Sequence, residues 1–173
     1  LKKTADLIRE RADRLARAMT LEQGKPLPEA KAETLATADI IEWFAEEAKR
    51  AYGRTIPAST TTRRHYAIKH PVGVVGTITP WNFPAALPSR KIAAALAAGC
   101  TVVSRPAEQT PITLILQFEC LVEAGLPKGV ANLVIGPPVP FADALFAHPA
   151  VRKISFTGST AVGKELIRRS ADQ

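Results

Sequence analysis

The chain has 173 residues, of which 46% are hydrophobic and 23% charged, a composition typical of a folded globular domain rather than a disordered chain. It contains no apolar run of the ~20 residues that a membrane-spanning helix needs and no signal-peptide pattern, so neither a membrane protein nor a secreted one is expected. The net charge of +7 is dispersed among acidic residues, which favours a solvated basic surface over nucleic-acid binding.

The two cysteines, Cys100 and Cys120, are too few for a disulfide framework and do not form a metal-ligand pair. Both are expected to be small buried residues, no metal site is expected, and a reducing, cytoplasmic setting fits. A helical pattern begins at residue 1, and no glycine or proline ends the last helix before Ala171–Gln173. We therefore expect a fragment of a longer chain.

The first third of the chain predicts two amphipathic helices. Apolar residues from Leu1 to Met19 recur at spacings of three and four, which indicates one continuous helix that ends at Gly24. A second helix is expected from about Pro28 to Gly53. Its apolar stripe is expected to comprise Leu35, Ala38, Ile41, Ala45, Ala48 and Tyr52. Both helices are expected to pack on a sheet.

The rest of the chain predicts strands that alternate with helices. Residues 55–70 combine a polar stretch with a strand at Arg64–His70 and indicate a hairpin. Four further strands are predicted at Val72–Ile78, Thr101–Ser104, Val130–Ile135 and Arg152–Phe156, followed by helices at Phe83–Ala98, Pro111–Ala124, Phe141–Ala147 and Thr160–Arg169. This alternation predicts an α/β fold with a parallel sheet and helices on both faces, in which ligands bind beyond the carboxyl ends of the strands.

Two of the loops at those ends carry groups suited to a dinucleotide. In the FTGST segment, Gly158 permits close backbone approach, and Ser159 opens a helix whose free amides attract a diphosphate; a plain serine N-cap is the alternative. In the segment Arg105–Glu108, the carboxylate could accept both hydroxyls of a ribose; a surface salt bridge is the alternative.

A third loop lies in the stretch Ile78–Pro84, ITPWNFP. Its prolines stiffen it, and the side-chain amide of Asn82 could donate two hydrogen bonds to a developing oxyanion. Taken alone, the stretch favours an asparagine-capped turn before a helix, with Trp81 filling the core.

In order, the segments ITPWNFP, AALAAGCTVVSRPAEQTP, EAGLPKGVANLVIG and HPAVRKISFTGST resemble the NAD(P)-dependent aldehyde dehydrogenase superfamily over nearly the whole chain. MTLEQGKPLPEAKAE and IEWFAEEAKRAYGRTIP look most like succinate-semialdehyde dehydrogenases. The resemblance implies part of a Rossmann-like cofactor domain and oxidation of a small aldehyde, succinate semialdehyde, with NAD or NADP. It also implies a homo-oligomeric parent, a dimer or tetramer, with an oligomerisation hairpin at residues 55–70.

The resemblance also implies roles for individual residues. Asn82 would stabilise the oxyanion and would also be one of the cofactor-binding residues. The nicotinamide would lie against Thr79, Pro80 and Trp81. The adenosine ribose would meet the segment Arg105, Pro106, Ala107 and Glu108, and the diphosphate would meet Gly158 and Ser159.

Two departures from the family pattern affect the adenosine side. Arg105 stands where lysine is usual, and its planar fork could tolerate the 2′-phosphate of NADP, whereas Glu108 would repel that phosphate and favours NAD. The loop from Gly136 to Ala142 is rich in proline where relatives often carry glycine, and the chain has no GxGxxG fingerprint.

The cysteine nucleophile and the glutamate base of the family reaction are expected beyond Gln173, together with the catalytic domain. This chain alone is therefore expected to be inactive. Two alternatives stay open: a non-catalytic, truncated nucleotide-binding module, and a coenzyme A-acylating relative that lacks the water-activating glutamate.

Overall fold

The structure is a computed structural model that describes residues 1–171; Asp172 and Gln173, at the end without a helix-stop signal, lie outside the described residues. Its helices are α1 (Lys2–Glu10), α2 (Ala12–Gln23), α3 (Leu27–Glu47), α4 (Ala86–Ala97), α5 (Pro111–Glu123), α6 (Pro138–Ala147) and α7 (Thr160–Arg169). Its strands are β1 (Arg54–Ile56), β2 (His65–Ala67), β3 (Val74–Ile78), β4 (Thr101–Arg105), β5 (Ala131–Leu133) and β6 (Val151–Phe156). Within residues 1–171, no helix has both the length and the apolar character to cross a bilayer.

Strands β3 to β6 form one parallel sheet in the order β5-β4-β3-β6, which confirms the predicted α/β fold. Ile78 at the end of β3 lies opposite Arg105 of β4 and Phe156 of β6, so these strands end at one edge of the sheet. From β3 the chain steps outward to β4 and β5 and then returns to the other side of β3. This reversal creates a topological switch point between β3 and β6.

Helices cover both faces of the sheet, as predicted. On one face, Val75 packs with Ile92 of α4 and Leu114 of α5. On the other face, Ile78 packs with Leu145 of α6 and with α7. Apolar side chains thus alternate between the two faces along β3, as they must in a strand that is buried on both sides.

The helices α1, α2 and α3 form a further layer beside α4 and α5. Burial of Ala5, Ile8, Leu15 and Met19 confirms the predicted apolar face of the first segment. The prediction of one continuous helix is wrong, because the chain kinks at Arg11, where φ is −103° and ψ is 16°. Neither glycine nor proline marks this kink, so no local signal in the sequence indicates it.

The predicted apolar stripe of the second helix is confirmed at Ala38 and Ile41 and wrong at its ends. Leu35 is 39% exposed, and Tyr52, 67% exposed, lies beyond the end of α3. The buried residues of α3 are Ala30, Glu33, Thr34, Thr37, Ala38 and Ile41. The hydroxyls of Thr34 and Thr37 each donate to the backbone carbonyl four residues earlier, at 2.9 and 2.8 Å. These bonds satisfy polar side chains inside the protein, which an apolar pattern does not reveal.

Two boundaries near the carboxyl edge of the sheet differ from prediction. Strand β4 ends at Arg105 and not at Ser104, so the arginine belongs to the strand. Helix α6 begins at Pro138 and not at Phe141, because the first turn of a helix accommodates prolines, whose missing amides would have no partner there.

The predicted hairpin is present as the antiparallel pair β1–β2, in which Thr55 lies opposite Tyr66. Its second strand is shorter than predicted, His65–Ala67, and all residues of both strands are exposed. The hairpin therefore has no core of its own and leaves apolar side chains on the surface.

Candidate functional site

The loops that follow the four parallel strands lie side by side. The backbone amide of Thr79 donates to the carbonyl of Arg105 at 3.4 Å, and the amide of Thr157 donates to the carbonyl of Ile78 at 3.0 Å. The loop after β3 is therefore tied to the ends of both neighbouring strands. The sheet edge brings the sequence-predicted site residues together on these adjacent loops.

Exposure rises along the loop after β3. Thr79 is 4% exposed, Pro80 is half-buried, and Trp81 is 53% exposed. The alternative in which Trp81 fills the core is therefore wrong. The loop instead presents the indole ring and the neighbouring Asn82 to solvent beside the switch point.

The two polar ends of Asn82 have different surroundings. Its backbone carbonyl accepts hydrogen bonds from the Lys25 ammonium at 3.1 Å and from the Gln23 side-chain amide at 3.4 Å. Within the described residues, its side-chain amide makes no hydrogen bond and is exposed. The backbone is thus fixed while two N–H donors remain available, which is the arrangement an oxyanion donor needs.

Glu33 of α3 bonds the backbone that directly follows this loop, and the sequence did not predict this role. Its Oε1 accepts from the backbone amides of Ala85 and Ala86 at 3.0 and 3.1 Å, and its Oε2 forms an ion pair with Lys25. The carboxylate thereby caps the start of α4, where no local side chain does so. No local pattern in the sequence marks this role, because the partners are backbone amides 52 and 53 positions away.

Glu22, at the end of α2, plays the matching part for α5. Its carboxylate oxygens accept from the backbone amides of Ile112 and Thr113 at 2.7 and 2.8 Å. One segment of the N-terminal layer therefore holds the first turns of the two helices that follow β3 and β4. Sequence reasoning missed this residue as well, because its partners lie 90 and 91 positions away.

Arg105 is enclosed between two loops. It is 5% exposed, and its Nε donates to the Gly136 carbonyl at 2.7 Å. A terminal nitrogen lies 3.3 Å from Glu108, whose side chain is 50% exposed. Pro106 and Ala107 between them are buried. The guanidinium thus ties the loop after β4 to the loop after β5, and Glu108 is the group of this segment that reaches solvent.

The loop after β6 leads into the exposed N-terminus of α7. Ser159 is the N-cap residue, and its hydroxyl accepts from the Val162 amide at 3.3 Å. A Cβ at Gly158 would lie 2.4 Å from the ring of Phe156, so any side chain there would force the ring or the loop to shift. Gly158, Ser159 and Thr160 are exposed, and the amides of this helix start can receive an anion.

An apolar groove of about 610 Å³ opens beside the loop after β5. Its walls include Val103 of the sheet, Ile135 and Pro137 of the loop, and Phe141 and Leu145 of α6. Such walls can hold a flat aromatic base by contact alone.

Neither cysteine is placed to act as a nucleophile at this edge. Cys100 is 5% exposed and precedes β4, at the opposite edge of the sheet. Cys120 lies in α5 and is fully buried, and this burial raises the pKa of its thiol, which keeps it protonated at neutral pH. Both are buried residues, as expected.

Comparison with known proteins agrees with this arrangement. A profile of the Aldehyde dehydrogenase family matches residues 1–173. The chain is 52% identical over 166 residues to the succinate-semialdehyde dehydrogenase [NADP(+)] GabD of Escherichia coli K12, covering 96% of the chain and 34% of that protein. It is 50% identical over 171 residues to the glutarate-semialdehyde dehydrogenase of Pseudomonas aeruginosa, covering 99% of the chain and 35% of that protein. The chain spans about a third of the length of the curated relatives it matches.

A solved structure is equally similar. The crystal structure of an aldehyde dehydrogenase from Brucella melitensis biovar abortus 2308 matches with a TM-score of 0.97 and 52% identity, over 98% of this chain and 35% of that one. The parallel sheet, the order of the loops at its carboxyl edge and the profile that spans every one of them lead to one conclusion. The chain belongs to the aldehyde dehydrogenase family.

Proposed function

We propose that this chain supplies the dinucleotide-binding loops and the oxyanion donor of an NAD(P)-dependent enzyme that oxidises an aldehyde to the carboxylic acid. The observation that carries the proposal is the free side-chain amide of Asn82 at the switch point, one strand away from the free start of α7. We assign residues 1–173 to the N-terminal part of the cofactor-binding domain. The nucleophilic cysteine and the base are expected C-terminal to the FTGST segment, outside this sequence.

Each loop binds a different part of the cofactor. The amides at Gly158 and Ser159 hold the diphosphate, and the apolar groove beside the loop after β5 takes the adenine. The half-exposed Glu108 accepts the ribose hydroxyls, with Arg105, Pro106 and Ala107 fixing its place. Glu108 supports NAD, because a carboxylate repels a 2′-phosphate, although the E. coli relative is named for NADP(+). The backbone of residues 79–81 lines the nicotinamide side.

Asn82 acts on the substrate oxygen. When a thiolate attacks the aldehyde carbonyl, negative charge builds on that oxygen, and the amide N–H groups donate to it. The nicotinamide, when bound, supplies the hydride acceptor. Because the loop is held in place before the substrate arrives, the donor needs no rearrangement, and such a donor contributes about 2.7–4 kcal/mol to the transition state.

The substrate is an aldehyde that carries a carboxylate at its far end. The names of the two curated relatives, a succinate- and a glutarate-semialdehyde dehydrogenase, support this class. Succinate semialdehyde is the member we favour, because the N-terminal segments MTLEQGKPLPEAKAE and IEWFAEEAKRAYGRTIP resemble those enzymes. We further propose that the hairpin at residues 55–70 joins copies of the protein into a homo-oligomer.

The test compares Asn82→Ala with the wild type in the full-length protein, with NAD⁺ and succinate semialdehyde. Loss of one oxyanion donor is expected to lower kcat about 100- to 1000-fold. Dinucleotide affinity should stay within about twofold, since ground-state binding of the cofactor does not use this amide. It is measured by isothermal titration calorimetry with NAD⁺ in the absence of aldehyde.

The chain of 173 residues serves as the negative control. It is expected to show no aldehyde turnover, because its cysteines are buried away from the site. A wild-type protein that oxidises no aldehyde, or an Asn82→Ala variant with unchanged kcat, would contradict the proposed function.

A further inference from the structure

We propose that Lys25 and Glu33 are positioning residues for the loop that carries Asn82, an inference that rests on the proposed function of that loop. Both side chains are almost completely buried. They act through the backbone on either side of Phe83, and their role is to fix where the Asn82 amide points.

The contacts form a continuous path from α3 to the loop. The side chains of Lys25 and Glu33 are 9% and 4% exposed, and they form an ion pair. Glu33 holds the amides of Ala85 and Ala86, at the start of α4. Lys25 holds the carbonyl of Asn82 at 3.1 Å. The two charged side chains therefore bond the backbone on both sides of Phe83 and Pro84.

Lys25 is held in place from three sides. Its ammonium lies 3.9 Å from the centroid of the Phe83 ring, a cation–π contact that adds to the ion pair and the carbonyl bond. The preceding Gly24 ends α2 in the left-handed region, at φ 84°, and Pro26 follows at φ −53°. This turn is stiff on both sides of the lysine, so the ammonium has little freedom to leave the loop.

The burial of this pair points to positioning and not to stability. A buried ion pair loses hydration that its attraction barely recovers, so neutral groups of similar size give comparable stability. Apolar groups of that size cannot bond a backbone carbonyl and two amides and so cannot fix them in one arrangement. Misplacement of a catalytic group by about 1 Å can reduce a rate about 100-fold, which gives the pair a function that stability alone does not supply.

The test uses Lys25→Met, Glu33→Gln and the double variant in the full-length protein, with Lys31→Met as the matched control. Lys31 pairs with Asp13 at 2.7 Å, but both side chains are exposed, at 49% and 74%, and neither contacts the loop. The first readout is amide hydrogen exchange of residues 83–87 without ligand, measured by mass spectrometry. Each single variant is expected to exchange about 10- to 100-fold faster there, because a charge-assisted contact to a buried group is lost. The control should match the wild type.

The second readout distinguishes a role in positioning the Asn82 loop from a role in stabilising the folded protein. Each single variant leaves one buried charge without its partner and should unfold more readily, whereas the double variant leaves none and should recover the urea midpoint of the wild type. Its kcat per titrated active site should stay about 100-fold low, because the Asn82 carbonyl loses its shorter bond, to the Lys25 ammonium, and keeps only the longer one to Gln23. Its KM for NAD⁺ should be unchanged.

Two results would overturn the inference: loop exchange that equals the wild type in all variants, or a double variant that recovers kcat together with stability. If Lys25→Met does not fold, the double variant still decides, since it contains no unpaired buried charge. If the wild type oxidises no aldehyde, the proposed function fails, while faster loop exchange still upholds the contact between this ion pair and the loop.

Discussion

Gly158 and Gly163 both face the ring of Phe156, but at different distances. A Cβ at Gly158 would lie 2.4 Å from the ring, closer than any real contact, whereas a Cβ at Gly163 would lie at 3.4 Å, an ordinary van der Waals distance. Gly158 precedes the N-cap of α7, and Gly163 lies inside the helix. A side chain at the first position would therefore force the ring or the loop to move, whereas one at the second position would not.

Replacement of these two glycines by alanine should have opposite effects. Gly158→Ala forces the ring or the loop to move, so it should cost about 1–3 kcal/mol of unfolding free energy. The same shift disturbs the amides at the start of α7 and should weaken dinucleotide binding. Gly163→Ala should stabilise the protein by about 0.5–1 kcal/mol, because alanine is the better helix former. Urea midpoints and dinucleotide Kd values check both, and equal effects at the two positions would contradict the argument.

At the residue scale, the sequence reveals the groups that face solvent and misses those that support them. Asn82, Glu108 and Gly158 could be predicted because each lies in a loop after a strand, in a recognisable order. Glu22 and Glu33 could not be predicted, because their partners are backbone amides between 52 and 91 positions away. A backbone amide is the same at every residue, so no sequence pattern marks it as a partner.

At the element scale, ion pairs join α1 to α3. Arg9 lies 2.8 Å from Asp39, and Lys2 pairs with Glu46. Hydrogen bonds from Lys2 and then from Lys49 lower the pKa of the Glu46 carboxyl from 4.5 to about 2. Because the folded pKa is the lower one, the contribution of Glu46 to stability is present above pH 4.5 and is lost as the pH falls towards 2.

Glu46→Gln should therefore make stability less dependent on pH between 4.5 and 2, since an amide does not titrate. The measurement is the urea midpoint at a series of pH values across this window. Glu10→Gln removes the same charge from α1 at a residue that forms no ion pair within residues 1–171, and it serves as the control. A pH dependence identical in Glu46→Gln and the wild type would contradict the assignment.

The elements of the sheet and its covering helices could be predicted because their burial is simple. Strands β3 to β6 alternate with helices, and short loops connect them. This alternation of apolar strands and helices predicts the α/β fold class. The orientation of α3 could not be predicted in the same way. Thr34 and Thr37 bond to their own helix, and Glu33 bonds to another element, so the buried face of α3 looks polar in the sequence.

At the scale of the whole molecule, the hairpin β1–β2 projects with its apolar side chains uncovered. Tyr66 is 63% exposed and Ile68, directly after β2, is 73% exposed. If this hairpin joins copies of the protein, Ile68→Lys places an unpaired charge in the interface and should shift full-length protein towards smaller species. Size-exclusion chromatography with light scattering measures the shift. Val122→Lys, at a residue 69% exposed on α5, is the control and should leave the mass unchanged.

The contact between Glu33 and the start of α4 also bears on the order of synthesis. Glu33 lies 52 residues before Ala85, so at the usual 5–20 residues per second a ribosome adds the intervening chain in about 3–10 s. The helical layer that contains the Glu33 carboxylate is therefore synthesised before the Asn82 loop and the start of α4. When the Asn82 loop is synthesised, Lys25 and Glu33 are already part of the chain. The cap at the start of α4 therefore needs no residue that the ribosome adds later.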